Sequence, residues 1–154
     1  MGKKITKREI SPDPVYNNEK VAKFVNQVMR KGKKTVAQKI VYSAFKRVEK
    51  KTKKDPLETF GRAIANVAPK MEVRSKRIGG ATYQVPYRVS DERGITLAMR
   101  WIIRAAKSKS GSSMDKFLAD ELIQASENKG AAVKKRSDIH RVAQANKAFA
   151  YFAR

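Results

Sequence analysis

The sequence predicts a mainly α, six-helix single domain with a two-stranded antiparallel β-ribbon protruding between helices three and four. Three observations predict it. Apolar residues recur at helical spacing in six separate stretches. Only Met71 to Val89 alternates as a strand does, with Tyr83, Val85, Tyr87 and Val89 separated by Gln84, Pro86 and Arg88. Finally, 154 residues with 41% hydrophobic content suffice for one core that buries roughly two-thirds of the unfolded surface.

Residues 1–16 read as a basic N-terminal arm, and 17–154 as the helical body with its ribbon at 71–89. The arm carries Lys3, Lys4, Lys7 and Arg8 before Pro12 and Pro14. A disordered terminus and an arm that folds on its partner both fit that composition. The first helix follows, with Val21, Phe24, Val25, Val28 and Met29 in one stripe. Asn17 or Asn18 can cap its start and Gly32 can close it. Arg30, Lys31, Lys33 and Lys34 crowd that turn. Cations suit any helix C-terminus, but four in five residues ahead of another helix point to a phosphate site.

The second helix runs from about Thr35 to Lys51 and buries Val36, Ile40, Val41, Ala44, Phe45 and Val48. Its lysine-rich end reads as a solvated face. Asp55-Pro56-Leu57-Glu58 starts the third helix with a cap, a first-turn proline and a box glutamate. Leu57, Phe60, Ile64 and Val67 point inward, and Pro69 ends it.

In the ribbon, Gly79-Gly80 supplies the reversal. An even-length loop sets Val73 across from Pro86. An odd-length loop with a glycine bulge pairs Met71 with Val89 and Val73 with Tyr87. The second is preferred, because it keeps one face apolar at the root. Arg74, Lys76 and Arg77 then make a basic tip.

Ser90, Asp91 and Glu92 open a fourth helix reaching about Lys107. Ile95, Ala98, Met99, Ile102 and Ala106 form its stripe, widened by Leu97, Trp101 and Ile103, which makes it the central helix. Arg93, Arg100, Arg104 and Lys107 form one edge, expected to continue the ribbon's basic face. The loop Ser108 to Ser113 can serve phosphates through hydroxyls and backbone N–H groups, or be a plain connector. The fifth helix, Met114 to Asn128, buries Phe117, Leu118, Leu122 and Ala125. Its Asp115, Asp120, Glu121 and Glu127 are expected to form a surface turned away from a polyanion. The last helix starts near Ala131, with Ile139, Val142, Ala143, Asn146, Phe149 and Ala150 inward and Lys134, Lys135, Arg136 and Arg141 basic.

Charge narrows the function. Lys and Arg number 36 against 14 Asp and Glu, a net charge of +22, whose self-repulsion is explained by a polyanionic partner. The absence of cysteine excludes disulfides, thiol catalysis and cysteine-bound zinc. No apolar run approaches the ~20 residues of a membrane span, and no signal-peptide core is evident, so a cytosolic protein is expected. His140 has no partner at ligand spacing, and Gly79-Gly80 lacks the strand–glycine–helix setting of a nucleotide loop. Nothing argues for an enzyme. Three classes remain: an RNA-binding structural protein, a DNA-binding architectural protein using its basic ribbon, and a peripheral membrane binder. The last is disfavoured because the basic helices also carry full core stripes. Composition does not separate the first two.

Long contiguous stretches carry a resemblance: KFVNQVMRKGKK (Lys23 to Lys34), VRSKRIGGATYQVPYRV (Val73 to Val89), MRWIIRAAK (Met99 to Lys107) and HRVAQANKAFA (His140 to Ala150). Nearly end to end, the chain resembles the bacterial small-subunit ribosomal protein seven family. The resemblance implies a structural constituent of the small ribosomal subunit that binds the 3′ major domain of its RNA, nucleates head assembly and lines the exit site for transfer RNA. It also implies small-subunit protein eleven among neighbouring head and platform proteins, a cytoplasmic ribosomal location, no cofactor, no membrane and no homo-oligomer. Carried over residue by residue, Lys3, Lys7, Arg8, Arg30, Lys31, Lys33, Lys34, Arg74, Lys76 and Arg77 would contact ribosomal RNA. Lys109, Ser112, Met114 and Arg141 would join them. Gly79, Gly80, Ala81 and Tyr83 at the ribbon tip, with Asn146 on the last helix, would face the exit-site transfer RNA.

Overall fold

A computed structural model describes residues 2–153. Six α-helices are present: α1 (Glu19–Val28), α2 (Lys34–Thr52), α3 (Pro56–Val67), α4 (Asp91–Lys107), α5 (Met114–Ser126) and α6 (Ala131–Ala145). Strands β1 (Met71–Ile78) and β2 (Ala81–Arg88) form the antiparallel ribbon between α3 and α4, and a 3₁₀ helix (Lys147–Ala153) closes the chain.

Local chemistry explains the boundaries. Asn18 caps α1 by accepting from the N–H groups of Lys20 and Val21. Asp55 caps α3 by accepting from Leu57 N–H, with Pro56 in the first turn. The box glutamate of α3 is used otherwise: Glu58 pairs with Arg62 one turn on. Ser90 caps α4.

The core gathers Phe24, Phe45 and Phe60 with Met99, Ile102, Leu118 and Leu122. Phe60 centres the aromatic contacts, at 5.1 Å from Phe24 and 5.3 Å from Phe45 between ring centroids. The fourth helix contributes nine buried residues, Met99 and Ile102 among them fully, and shares the centre with α5, which packs on α2, α3, α4 and α6. On α2, Val41, Ala44, Phe45 and Val48 are buried as expected, but at its first turn Ala37 is buried and Val36 is 50% exposed.

The ribbon register also differs from the preferred expectation. Met71 pairs with Arg88 and Val73 with Pro86, the even-length alternative. Gly79 and Gly80 both have left-handed φ, 56° and 88°, as a two-residue hairpin turn requires. Glu72, Arg74 and Lys76 therefore share a face with Tyr87, Val85 and Tyr83. Apolar matching alone misjudged this face, because it buries a neutralised charge. Glu72 is buried between Arg93 and Arg74.

The last helix is shorter than expected and turned about its axis. Ala132, Val133 and Ala143 are its buried residues, whereas Val142 and Ala150 are exposed. The chain changes to 3₁₀ geometry after Asn146, and Phe149 and Phe152 fold back against Tyr83 at 5.0 and 5.5 Å.

Candidate nucleic-acid interface

Two loops and two helices assemble a cationic surface. The chain leaves α1 at Met29 and turns through Lys31 and Gly32, both with positive φ, before entering α2. Lys33 and Lys34 thus stand at the start of α2, which has no side-chain cap. Cations oppose the positive end of a helix dipole, so this arrangement is unfavourable until an anion joins it. Beside the turn, Arg30 faces α4 across a groove of about 580 Å³, lined also by Gln27, Thr96, Arg100, Ile103, Arg104 and Lys107. Among the described residues, no carboxylate lies within 4.0 Å of the charged ends of Arg30, Lys33, Lys34, Arg100, Arg104 or Lys107. Burial and the neighbouring Arg30 hold the Lys107 amine below the usual lysine range.

An adjoining apolar hollow of about 300 Å³ brings Met114, Val36 and Ile40 beside Arg30, Lys33 and Lys107. Met114 therefore joins the Arg30–Lys34 turn, although some eighty residues separate them in sequence. Arg100, Arg104 and Lys107 belong with it too, and the carried-over set did not name them. Their 4- and 3-residue spacing on one helix edge was the available signal. That edge is divided, however. Arg93 does not continue it but pairs with Glu72 at the ribbon root.

Other expected contact residues are engaged within the protein. Arg74 pairs with Glu72 and lies 5.0 Å over the Tyr87 ring. Lys76 Nζ donates to the Phe152 carbonyl at 2.7 Å. Arg77 is exposed, across from Thr82. Gly79, Gly80 and Ala81 are exposed at the tip, and Tyr83 is half-buried under the 3₁₀ helix. Lys109 contacts Glu121 at 3.4 Å, Ser112 is exposed in its loop, and Arg141 pairs with Asp138 at 2.6 Å. Asn146 caps the end of α6, donating to the Val142 carbonyl at 2.8 Å.

The arm is tied at two points. Lys3 and Arg8 are exposed, and Lys7 Nζ reaches Glu92 at 2.7 Å. Asp13 is buried: it accepts from the N–H groups of Val15 and Tyr16 at 3.0 Å and from the Tyr42 hydroxyl at 2.6 Å. Burial, and then that bond to Asp13, push the Tyr42 phenol up to about 12.

Three of the four acids expected on the α5 surface have partners within the protein. Asp115 accepts from Ser43 Oγ at 2.8 Å and from Arg47 Nε at 2.7 Å. Asp120 pairs with Lys51, and Glu121 is fully buried. Asp115 and Asp120 thus pair with α2, Glu121 turns inward to Lys109, and Glu127 is exposed. His140 has a comparable internal role, with Nε2 accepting the Lys70 N–H at 3.1 Å. Burial, Arg136 and Lys70 hold its imidazole below the usual histidine range. Among the described residues there is no cluster of three acids or histidines able to hold a metal ion, and no helix is long and apolar enough to cross a membrane.

Comparison with known proteins identifies the family. The family model described as Ribosomal protein S7p/S5e matches residues 2–147. The small ribosomal subunit protein uS7 of Nitrosomonas europaea is 54% identical over 150 residues, covering 97% of this chain and 96% of that one. Its counterpart in Thermotoga maritima is 56% identical over 146 residues, covering 95% and 94%. That of Caldanaerobacter subterraneus is 55% identical over 148 residues, covering 96% and 95%. The chain belongs to the ribosomal protein S7p/S5e family.

Proposed function

We propose that this protein is a structural constituent of the small ribosomal subunit that binds ribosomal RNA through the Arg30–Lys34 turn and the adjoining edge of α4. The relatives are named as small ribosomal subunit proteins, a structural and non-enzymatic family. The single observation that carries the RNA surface is the groove of Arg30, Arg100, Arg104 and Lys107, which has four cations and no acid in its lining. Duplex or looped RNA brings closely spaced phosphates, which relieve the repulsion there and release counterions. Met114, Val36 and Ile40 add an apolar floor beside those phosphates, and the exposed Lys3 and Arg8 extend the cationic track along the arm.

In the finer reading, the RNA is the 3′ major domain of the small-subunit RNA, whose folding into the subunit head the protein nucleates. The exposed tip residues Gly79, Gly80 and Ala81 then reach the exit-site transfer RNA, with small-subunit protein eleven as a neighbour. This role belongs to the ribosomes of the cytoplasm. Hydroxyl-radical footprinting on purified ribosomal RNA tests it. A discrete footprint in the 3′ major domain, resistant to duplex DNA competitor, is expected. Diffuse protection displaced equally by duplex DNA would favour a DNA-binding architectural protein instead. For the tip, subunits with 78–81 replaced by a shorter turn should retain deacylated transfer RNA less well while their ribosomal RNA affinity falls only modestly. Unchanged exit-site occupancy would confine the ribbon to ribosomal RNA.

A further inference from the structure

We infer that Glu121 is a positioning residue for the nucleic-acid face, and that Lys109 is its internal counter-ion and not a phosphate contact. The inference rests on the RNA-binding role proposed above. Glu121 lies on α5 and is 0% exposed. One carboxylate oxygen, Oε1, accepts the Ala132 N–H at 3.0 Å, and the other, Oε2, accepts from Lys109 Nζ at 3.4 Å. The first bond supplies what α6 lacks, because Gly130 at its start has no side chain to cap it. The fit is close. A Cβ at Gly130 would lie 3.1 Å from Glu121 Oε1, and the φ of 95° there already favours glycine. The second bond holds the loop that ends at Met114, and Met114 lines the hollow beside Arg30 and Lys33.

One buried carboxylate thus fixes two elements that carry cations to the surface. α6 needs such a fixture, because only Ala132, Val133 and Ala143 are buried on it. Arg136, donating to the Asn66 carbonyl, and His140, accepting from Lys70, supply its further polar ties. A phosphate that drew Lys109 away would leave a buried carboxylate with one backbone donor and no counter-charge. Lys109 itself is partly exposed, but Glu121 is fully buried, and stripping a buried carboxylate of its counter-charge is strongly destabilising. Lys109 therefore stays on Glu121 when RNA binds, and the Arg30–Lys34 turn and α4 make the phosphate contacts.

The test uses the full chain and a transcript of the small-subunit RNA 3′ major domain. Lys109→Met should lower the melting temperature and leave the slope of log K against log salt at the wild-type value. Adding Glu121→Gln to Lys109→Met should restore much of the melting temperature, since the amide keeps an acceptor for Ala132 and removes the unpaired charge. Hydrogen exchange at the Ala132 amide should stay slow in Glu121→Gln and become fast in Glu121→Ala. A slope reduced by about one in Lys109→Met, as expected for a lost phosphate contact, overturns the inference. So does an unmoved melting temperature, or an absence of rescue in the double variant. Lys33→Ala with Lys34→Ala is the control. If that pair leaves the slope unchanged, the RNA surface itself is misassigned, and the melting and exchange results still decide the role of Glu121.

Discussion

The two ends of α2 carry similar charge and differ in what surrounds them. At its start, Lys33 shares a hollow with Arg30 and Lys107, which also line the groove of Arg100 and Arg104, and neither lining holds an acid. At its end, Arg47 and Lys51 meet Asp115 and Asp120 of α5. A run of lysines therefore does not identify a binding face. What does is whether the fold brings carboxylates to it: α5 sets Asp115 and Asp120 against Arg47 and Lys51, and offers only the apolar Met114 to the hollow at the start of α2. Two cations at the far end are paired in this way, whereas the groove and hollow at the start are lined by cations without acids, where a polyanion is attracted.

The largest effect expected concerns the packing that creates the difference. Leu118 is fully buried on α5, so Leu118→Ala should destabilise the fold by about 2–5 kcal/mol. It should weaken RNA binding only by reducing the folded fraction. Thermal melting beside RNA titration checks both, and a wild-type melting temperature would show that α5 does not hold the neutralised end in place.

A second effect sharpens the contrast through pH. Asp115 is held well below the usual carboxylate range, first by the Ser113 hydroxyl and then by Ser43 and Arg47, against an opposing desolvation. Its folded pKa is lower than its unfolded one, so in acid the unfolded chain binds the proton first. The stabilisation is thus complete above the ordinary aspartate pKa of about 3.9 and is lost as pH falls toward the folded value. Asp115→Asn should flatten the acid limb of the stability curve. An unchanged limb would mean that the pair with Arg47 contributes nothing there.

A smaller effect is expected at the ribbon root. The folded pKa of His140 is also lowered, and protonation would remove the acceptor for Lys70 N–H. Between the ordinary histidine pKa of about 6.5 and the lower folded value, the unfolded state holds more protons, so stability decreases as the pH is lowered. Hydrogen exchange at the Lys70 amide should accelerate as pH drops through that window, after correction for intrinsic rates, and His140→Phe should abolish the dependence. Exchange that tracks the intrinsic rate alone would remove His140 from the docking of the ribbon.

Much of this architecture was legible in the chain. Six apolar stripes and two capping signals located the helices, because each stripe had to face the same core. The ribbon was legible as an element and not as a register. The preferred pairing counted apolar matches and had no way to see that Glu72 is neutralised from outside by Arg93 of α4. The same blindness to tertiary partners affected the site. Lys33 and Lys34 were readable because they are contiguous with Arg30, whereas Arg100 and Lys107 joined them only when α1 packed on α4. Conversely, Arg74, Lys76 and Lys109 look like contact residues in sequence, and the fold gives each an internal partner.

The most direct test removes the same charge from each region and compares salt dependence. One variant carries Arg100→Ala with Arg104→Ala, the other Arg47→Ala with Lys51→Ala, each measured against the 3′ major domain transcript over a range of salt. The slope of log K against log salt should fall by about two in the first variant and stay at the wild-type value in the second. Equal losses of slope in the two variants would contradict the account, because both ends of α2 would then be meeting phosphate.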